Sequence, residues 1–74
     1  MESGQYIKEI RMQGMMSQME FAKALDVSFA TVNRWENGKC IPSYEAMRRL
    51  KKYCELYKLT FDLNRITSEG TNNE

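Results

Sequence analysis

The sequence predicts an all-α fold, a compact bundle of about five short helices, from three observations. Apolar residues recur in steps of three and four through most of the chain, which is the spacing of amphipathic helices. Ser17, Ser28 and Ser43 each precede such a segment, and serine is a preferred N-cap residue. The length of 74 residues and the hydrophobic content of 42% are those of one small domain. We therefore assign residues 1–66 to a single helical domain and expect residues 67–74 to form a disordered polar tail.

Helices one and two are separated by Ser17. Apolar residues between positions 6 and 16 follow helical spacing, so we expect helix one to end near Gly14. Ser17 and Glu20 match the capping-box pattern, in which each side chain accepts a hydrogen bond from the other residue's backbone N–H. Helix two is only about two turns long and ends before Asp26. Its inward residues are Phe21, Ala22 and Leu25.

Helices three and four begin at the other two serines. Ser28 caps a helix over about residues 29–36, and Asn37 and Gly38 end it because both tolerate the left-handed conformation. Helix four follows Ser43. The residues expected to face inward are Val32 and Trp35 on helix three, and Met47, Leu50, Tyr53 or Cys54, and Tyr57 on helix four.

Residues 59–64 give an ambiguous signal. Apolar and polar residues alternate there as in a strand. Thr60 could equally cap a short fifth helix that ends near Ile66, and we favour that helix.

The net charge of +1 hides an uneven distribution. Three acidic residues, Glu2, Glu69 and Glu74, lie near the termini, and residues 3–66 hold 11 basic against 7 acidic residues. Residues 29–58 alone hold 7 basic against 3 acidic. Such a concentration of positive charge attracts phosphates, although a solvated helix face rich in lysine and arginine gives the same count.

The cysteine and histidine content excludes several classes of protein. Cys40 and Cys54 are the two cysteines, and the chain has no histidine. One cysteine pair makes neither a disulfide framework nor the four ligands of a structural zinc site. Without histidine, neither a Ser-His-Asp nor a Cys-His arrangement can form. We therefore expect free thiols in a reducing cytoplasm, with no metal, no cofactor, no membrane span and no enzymatic activity.

The pair of short helices around Asp26 is the most informative feature. Two serine-capped helices are joined by a tight turn at Asp26 and Val27, with a small residue, Ala22, where they cross. This is the spacing of a helix-turn-helix, whose first helix lies across the DNA backbone while its second enters the major groove.

At these positions the sequence resembles the phage repressor and Cro-like (XRE-type) helix-turn-helix family. The resemblance covers roughly residues 7–50. The shared elements are Ser17-Gln18, Glu20-Phe21-Ala22, Leu25, Val27-Ser28, Thr31-Val32, Trp35-Glu36, Gly38 and Pro42-Ser43. The resemblance implies the lambda-repressor-like fold, a bacterial or phage origin, and binding to operator DNA as a symmetric dimer.

Three departures from the family pattern affect the ends of the helices. Met15 stands where the family has glycine, with Gly14 one place earlier. Asp26 replaces the turn glycine and must adopt the left-handed conformation at some cost. Beyond Leu50, Lys51 and the stretch 55–58 replace a small residue and a glycine-valine step, so helix four is expected to run about a turn further.

The resemblance also implies which side chains contact DNA. The expected base contacts are Phe29, Ala30, Asn33 and Arg34. Apolar groups there meet thymine methyls, while Asn can bond adenine and Arg can bond guanine. The expected phosphate contacts are Gln18, Thr31, Asn37, Lys39, Ser43 and Tyr44. The alternative for Phe29 is packing on its own domain, and for the polar residues it is plain solvation.

Arg11 and Glu36 occupy positions that form an ion pair between helices one and three in several family members. If such a pair is buried, removing one partner costs about 3–5 kcal/mol. An exposed pair contributes less than about 1 kcal/mol. Trp35 shares a face with Val32 and is expected to anchor the core rather than to stack on bases. The basic residues of helix four spread around it, so at least half of Arg48, Arg49, Lys51 and Lys52 should be ordinary solvated charges.

These observations favour a sequence-specific DNA-binding transcriptional regulator of the repressor type, acting as a homodimer on a pseudo-palindromic operator. One alternative is an antitoxin that binds DNA and masks a toxin through residues 56–66. The apolar residues of this segment are Leu56, Leu59, Phe61, Leu63 and Ile66. The same residues could instead form the homodimer interface or close the core. A further alternative is a DNA-targeting module of a larger protein.

Overall fold

The computed structural model of the chain describes residues 2–66, which form four helices and a short helical segment. The helices are α1 (Glu2–Gln13), α2 (Gln18–Leu25), α3 (Phe29–Glu36) and α4 (Tyr44–Leu56). Residues 64–66 are also helical, and no strand occurs between residues 2 and 66. The predicted all-α bundle is therefore confirmed. The expected polar tail, residues 67–74, lies outside the described residues.

Serine caps begin α2, α3 and α4. The Ser17 hydroxyl accepts the Glu20 N–H at 3.1 Å, and the Glu20 carboxylate accepts the Ser17 N–H at 2.8 Å, so both halves of the capping box form. Ser28 and Ser43 each accept the N–H three residues further on. Because these caps are local, the predicted starts of all three helices are confirmed.

Helix α1 begins at Glu2, earlier than the apolar periodicity from residue 6 indicated. Gly4 lies where α1 approaches the last turn of α3. A Cβ on Gly4 would lie 2.7 Å from the Trp35 carbonyl oxygen and 2.8 Å from that of Glu36, which is too close for any other residue. The first turn of α1 is thus held by a close backbone approach, which apolar spacing does not reveal.

Both turns that flank α2 place a residue other than glycine at positive φ. Met15 has φ 57° and Asp26 has φ 59°. Aspartate tolerates this region better than methionine does. Gly14 has a different role, since a Cβ there would collide with the Tyr53 hydroxyl. A larger residue at position 14 would therefore displace the Tyr53 hydroxyl, and Met15 takes the strained conformation.

The core lies between the four helices. Its buried residues are Tyr6, Ile7, Ile10, Phe21, Ala22, Leu25, Val32, Trp35, Ala46, Leu50, Tyr53, Cys54 and Ile66. The Phe21 and Tyr53 rings meet edge to face, with centroids 5.1 Å apart. Trp35 is 2% exposed, so its predicted role as a core anchor is confirmed. Burial, with a smaller contribution from Glu55, raises the pKa of the Cys54 thiol to about 11, whereas Cys40 is exposed.

Helix α4 ends at Leu56 because the chain turns sharply at Lys58, which has φ 59°. Tyr57 is the C-cap and is 44% exposed, so the prediction that it faces inward is wrong. Its ring instead lies against the outer side of Tyr53, with centroids 4.6 Å apart.

Residues 59–63 are neither strand nor helix. The expected helix behind Thr60 begins instead at Asn64, where the Asp62 carboxylate accepts the Asn64 N–H at 3.0 Å. Tyr6 of α1 holds this segment: its hydroxyl donates to the Thr60 carbonyl at 3.2 Å and accepts the Asp62 N–H at 2.6 Å. The Arg65 guanidinium lies 4.2 Å from the centre of the Tyr6 ring.

The apolar residues of 56–66 are divided between the core and the surface. Ile66 is fully buried, and Leu59 and Phe61 pack against the core. Leu56 and Leu63 remain 74% and 48% exposed. Three of the five apolar residues of this segment, Leu59, Phe61 and Ile66, therefore help to close the core.

Candidate nucleic-acid interface

Helices α2 and α3 meet at a turn whose backbone groups are satisfied. The Asp26 and Val27 N–H groups donate to the carbonyls of Lys23 and Ala22, at 3.2 and 3.0 Å. Ala22 is 2% exposed, as expected of a small residue where two helices cross. The two helices thus form a compact helix-turn-helix unit.

Helix α3 divides cleanly into an inner and an outer face. Val32 and Trp35 are buried in the core. Ala30 and Arg34 are exposed, and Phe29 is 45% exposed, so just over half of its surface is covered by its own domain and the rest is accessible from outside. The outer face therefore presents two apolar groups followed, one turn later, by a guanidinium.

Asn33 is not a freely solvated side chain. It is half-buried, and its Nδ2 donates to the Gln18 Oε1 at 3.3 Å. Its Oδ1 accepts a hydrogen bond from the Asn37 Nδ2 at 2.9 Å. Gln18 Nε2 in turn donates to the Glu36 carboxylate at 3.0 Å. We call Gln18, Asn33 and Asn37 the amide chain. Sequence spacing gives no signal for the link between Gln18 and Asn33, which joins residues 15 apart on different helices, whereas Asn33 and Asn37 have the spacing of neighbours on one helix.

Glu36 is at the centre of the junction between α1 and α3. Its side chain is 5% exposed, and the Arg11 guanidinium donates to both carboxylate oxygens, at 2.7 and 3.1 Å. The same guanidinium donates to the Met16 carbonyl at 2.8 Å. A bidentate pair between nearly buried groups fixes the end of α3 relative to α1 and to the chain entering α2.

The other residues expected to contact phosphates lie at the edges of the unit. Lys39, Ser43 and Tyr44 are exposed in the loop after α3 and at the start of α4. The Thr31 hydroxyl lies 2.9 Å from the Ser28 hydroxyl within the first turn of α3. Gln18 and Asn37 belong to the amide chain, which brings the start of α2 and the end of α3 together.

Arg49 has a structural contact that the sequence did not suggest. Its Nη1 donates to the Leu25 and Asp26 carbonyls, at 3.3 and 2.9 Å, and so closes the end of α2 from the side of α4. Glu45 lies 3.5 Å from the Arg49 Nε and 3.3 Å from the Arg48 Nη1. The hydrogen bonds from Arg49 to Leu25 and Asp26 span 24 and 23 residues, so only the fold brings those partners together.

An open apolar groove lies between α2 and α4. Its lining residues are Ala24, Leu25, Asp26, Arg49, Lys52, Tyr53, Glu55, Leu56 and Tyr57. Within residues 2–66, no group of three or more cysteine, aspartate or glutamate side chains could hold a metal ion. Over the same range, no helix is long and apolar enough to cross a membrane.

The serine-capped helix pair, the tight turn and the outer face of α3 define a helix-turn-helix DNA-binding domain. Comparison with family models matches residues 7–63 to the helix-turn-helix family. The chain belongs to this family, in its XRE-type, Cro- and C1-like branch, as the sequence resemblance implied. Searches of the curated proteins and of the solved structures gave no match. The family is one of DNA-binding regulators, and this chain is a DNA-binding protein of that type.

Proposed function

We propose that the protein is a sequence-specific transcriptional repressor that acts in the cytoplasm and reads the major groove with α3. The observation that supports this most is the outer face of α3. Phe29, Ala30 and Arg34 project from a helix whose inner face is buried and whose last residue, Glu36, is held by Arg11. A rigid helix with an exposed, chemically mixed face is what direct readout of base edges requires.

Four side chains of α3 contact bases in this proposal. Phe29 and Ala30, in its first turn, lie against thymine methyl groups. Asn33 bonds adenine, and Arg34 bonds the O6 and N7 atoms of guanine. Each good bidentate contact discriminates against the wrong base by about 1–3 kcal/mol.

Six side chains contact phosphates and fix the register of the domain on the duplex. They are Gln18, Thr31, Asn37, Lys39, Ser43 and Tyr44. Lys39 alone among them is positively charged. Affinity still falls as salt rises, because each neutralised phosphate releases counterions.

The protein acts as a homodimer. A domain of this size covers one half-site, and a two-fold axis places two recognition helices about 34 Å apart, one helical turn of DNA. The operator is therefore a pseudo-palindrome.

Selection of binding sites from random duplexes at moderate salt tests the proposal. Two inverted half-sites should be enriched, and Arg34→Ala should relax the preference at one base pair per half-site at a cost of about 1–3 kcal/mol. Arg48→Ala is the matched control, because Arg48 is exposed on α4 and should leave the motif unchanged. Failure to enrich any motif would contradict sequence-specific binding, and uniform weakening by Arg34→Ala would assign Arg34 to phosphate.

One observation favours a second function, that of an antitoxin. Leu56 is 74% exposed at the rim of the groove between α2 and α4, where a partner protein could cover it. In that case Leu56→Ser should abolish binding to the toxin encoded beside it while operator binding persists. If Leu56→Ser instead disrupts the homodimer, the exposed leucine belongs to the dimer interface.

A further inference from the structure

We propose that Glu36 fixes the orientation of the Asn33 amide through Gln18, and that this orientation makes Asn33 selective for adenine. The inference rests on the proposed function, since it concerns how one of the four base contacts is specified. Gln18 and Asn37 are then positioning residues for base recognition, in addition to their proposed phosphate contacts.

The chain of hydrogen bonds begins at an acceptor. Both oxygens of the Glu36 carboxylate already receive N–H groups from Arg11, and an ionised carboxylate has no hydrogen to donate. The end of Gln18 that faces it at 3.0 Å must therefore be the NH₂ group. That leaves the Gln18 carbonyl oxygen for the next residue.

The orientation then passes along the amide chain. Because Gln18 presents an oxygen, Asn33 must turn its NH₂ group toward it, and the two lie 3.3 Å apart. The Asn33 oxygen is thereby directed toward Asn37, which donates to it at 2.9 Å. An amide has one donor end and one acceptor end, so reversing any member would bring like ends together.

The hydrogen bonds within the amide chain do not use all the donors and acceptors of the Asn33 side chain. A side-chain amide has two N–H donors and an oxygen with two lone pairs. One N–H is used on Gln18 and one lone pair on Asn37, which leaves one donor and one acceptor. Adenine offers an acceptor, N7, and a donor, the N6 amino group, in the major groove, which is the complementary pair.

The fixed orientation of the Asn33 amide determines which base edge its remaining donor and acceptor match. An amide that rotates freely about its last bond could present its two ends in either order. In this proposal the fixed order matches N7 and N6 of adenine, so the matching orientation is populated before binding and the reversed order is excluded. Guanine offers two acceptors at the same edge, so the amide oxygen would face an acceptor there in either orientation. The partly buried partners of Asn33 thus favour adenine at one base pair.

The experiment compares binding-site selections for the wild type, Asn33→Ala, Gln18→Met and the double variant. The wild type should prefer adenine at one position of each half-site, and Asn33→Ala should remove that preference. Gln18→Met keeps the length of the side chain but removes both ends of its amide, so the adenine preference should fall about fivefold or more. In the double variant the base preference at that position should equal that of Asn33→Ala alone.

Lys39→Met is the matched control, because Lys39 is a proposed phosphate contact outside the amide chain. It should weaken all duplexes uniformly and leave the adenine preference intact. Asn37→Ala removes the other contact of Asn33 without altering α2, and it should also reduce the preference. Thermal unfolding of each variant shows that the comparison is made on folded protein.

Unchanged base preference in both Gln18→Met and Asn37→Ala, with weaker binding to every duplex, would overturn the inference. A wild-type motif with no Asn33-dependent adenine would overturn it as well. Failure of the wild type to enrich any motif would instead refute the proposed function itself.

Discussion

Helix α1 holds two other parts of the molecule by different means. At its C-terminal half, Arg11 forms a bidentate ion pair with Glu36 at the end of α3. Near its N-terminus, Tyr6 holds the segment after α4 with a neutral hydroxyl that bonds two backbone groups, at residues 60 and 62. We call the Arg11–Glu36 contact the charged junction and the two hydrogen bonds of the Tyr6 hydroxyl the neutral junction. Arg65 and Glu9, 3.6 Å apart, form a partly exposed ion pair beside the neutral junction.

The difference between the junctions concerns what happens when a contact is removed. A nearly buried carboxylate that loses its partner keeps an uncompensated charge in a poorly solvated site. A backbone group that loses a tyrosine hydroxyl loses one neutral hydrogen bond, and the exposed segment lets water replace it. We therefore expect removal of one partner of the ion pair to destabilise the placement of α3 strongly. Removal of the Tyr6 hydroxyl should weaken the attachment of the C-terminal segment only slightly.

The largest expected effect is that of Arg11→Ala, which leaves the Glu36 carboxylate without its cationic partner. Because the side chain of Glu36 is 5% exposed, we expect a loss of about 3–5 kcal/mol in the free energy of unfolding. Arg48→Ala is the control, because Arg48 is 66% exposed and its pair with Glu45 contributes less than about 1 kcal/mol. Urea unfolding curves measure the stability of both variants. Equal midpoint shifts would show that the Arg11–Glu36 pair contributes no more than an exposed ion pair.

Glu36→Ala removes the charge itself together with its hydrogen bonds. We expect it to lower the melting temperature clearly more than Glu45→Ala, because Glu45 is 58% exposed in its pairs with Arg48 and Arg49. Calorimetry of the two variants gives the comparison. A Glu36→Ala variant as stable as Glu45→Ala would show that the ion pair does not support α3.

Tyr6→Phe tests the neutral junction. The ring stays buried and only the hydroxyl is lost, so we expect a destabilisation of about 1 kcal/mol. Tyr44→Phe is the matched control, since the Tyr44 side chain is 78% exposed and should tolerate the change in thermal unfolding. A loss as large as that of Arg11→Ala would mean that the two junctions are energetically equivalent.

The smallest expected effect lies between the junctions, at the end of α1. Met15→Gly removes the steric cost of a methionine in the left-handed conformation, which is about 1–2 kcal/mol. It adds an entropy cost of about 0.5–1 kcal/mol, because glycine loses more conformational freedom on folding. We therefore expect a net stabilisation between zero and about 1.5 kcal/mol in thermal unfolding. Met12→Gly should have the opposite sign, because Met12 lies within α1 and glycine there costs about 1 kcal/mol. If both variants destabilise, position 15 does not carry strain.

Those parts of the fold that local chemistry determines could be predicted from the sequence. Each serine cap needs only an N–H three residues further on, and so α2 and α3 begin at the predicted residues. They also end where the turn-forming residues Asp26 and Asn37 predicted. The beginning of α1 could not be predicted, because it depends on Gly4 meeting backbone carbonyls about thirty residues away. The start of the last helix was missed because Asp62, rather than Thr60, supplies the capping oxygen.

The candidate site divides in the same way. Phe29, Ala30 and Arg34 were identified from the positions at which the resemblance implies base contacts, and they are exposed. The contact of Asn33 with Gln18 was missed because Gln18 lies 15 residues earlier, at the start of α2. The contact with Asn37 has the spacing of helix neighbours and could have been predicted. Arg49 was counted among four similar charges, yet only its contact with the turn after α2 distinguishes it.

The contacts of Tyr6 also have a consequence for the order of folding. They join residues separated by 54 and 56 positions, so the chain between them must be closed into a loop before either bond can form. Closing a long loop costs chain entropy, whereas the capped turns of α2 and α3 involve neighbours only. The helix-turn-helix unit can therefore gain structure early, and the hydroxyl of Tyr6 meets its partners once the two ends of the domain have come together.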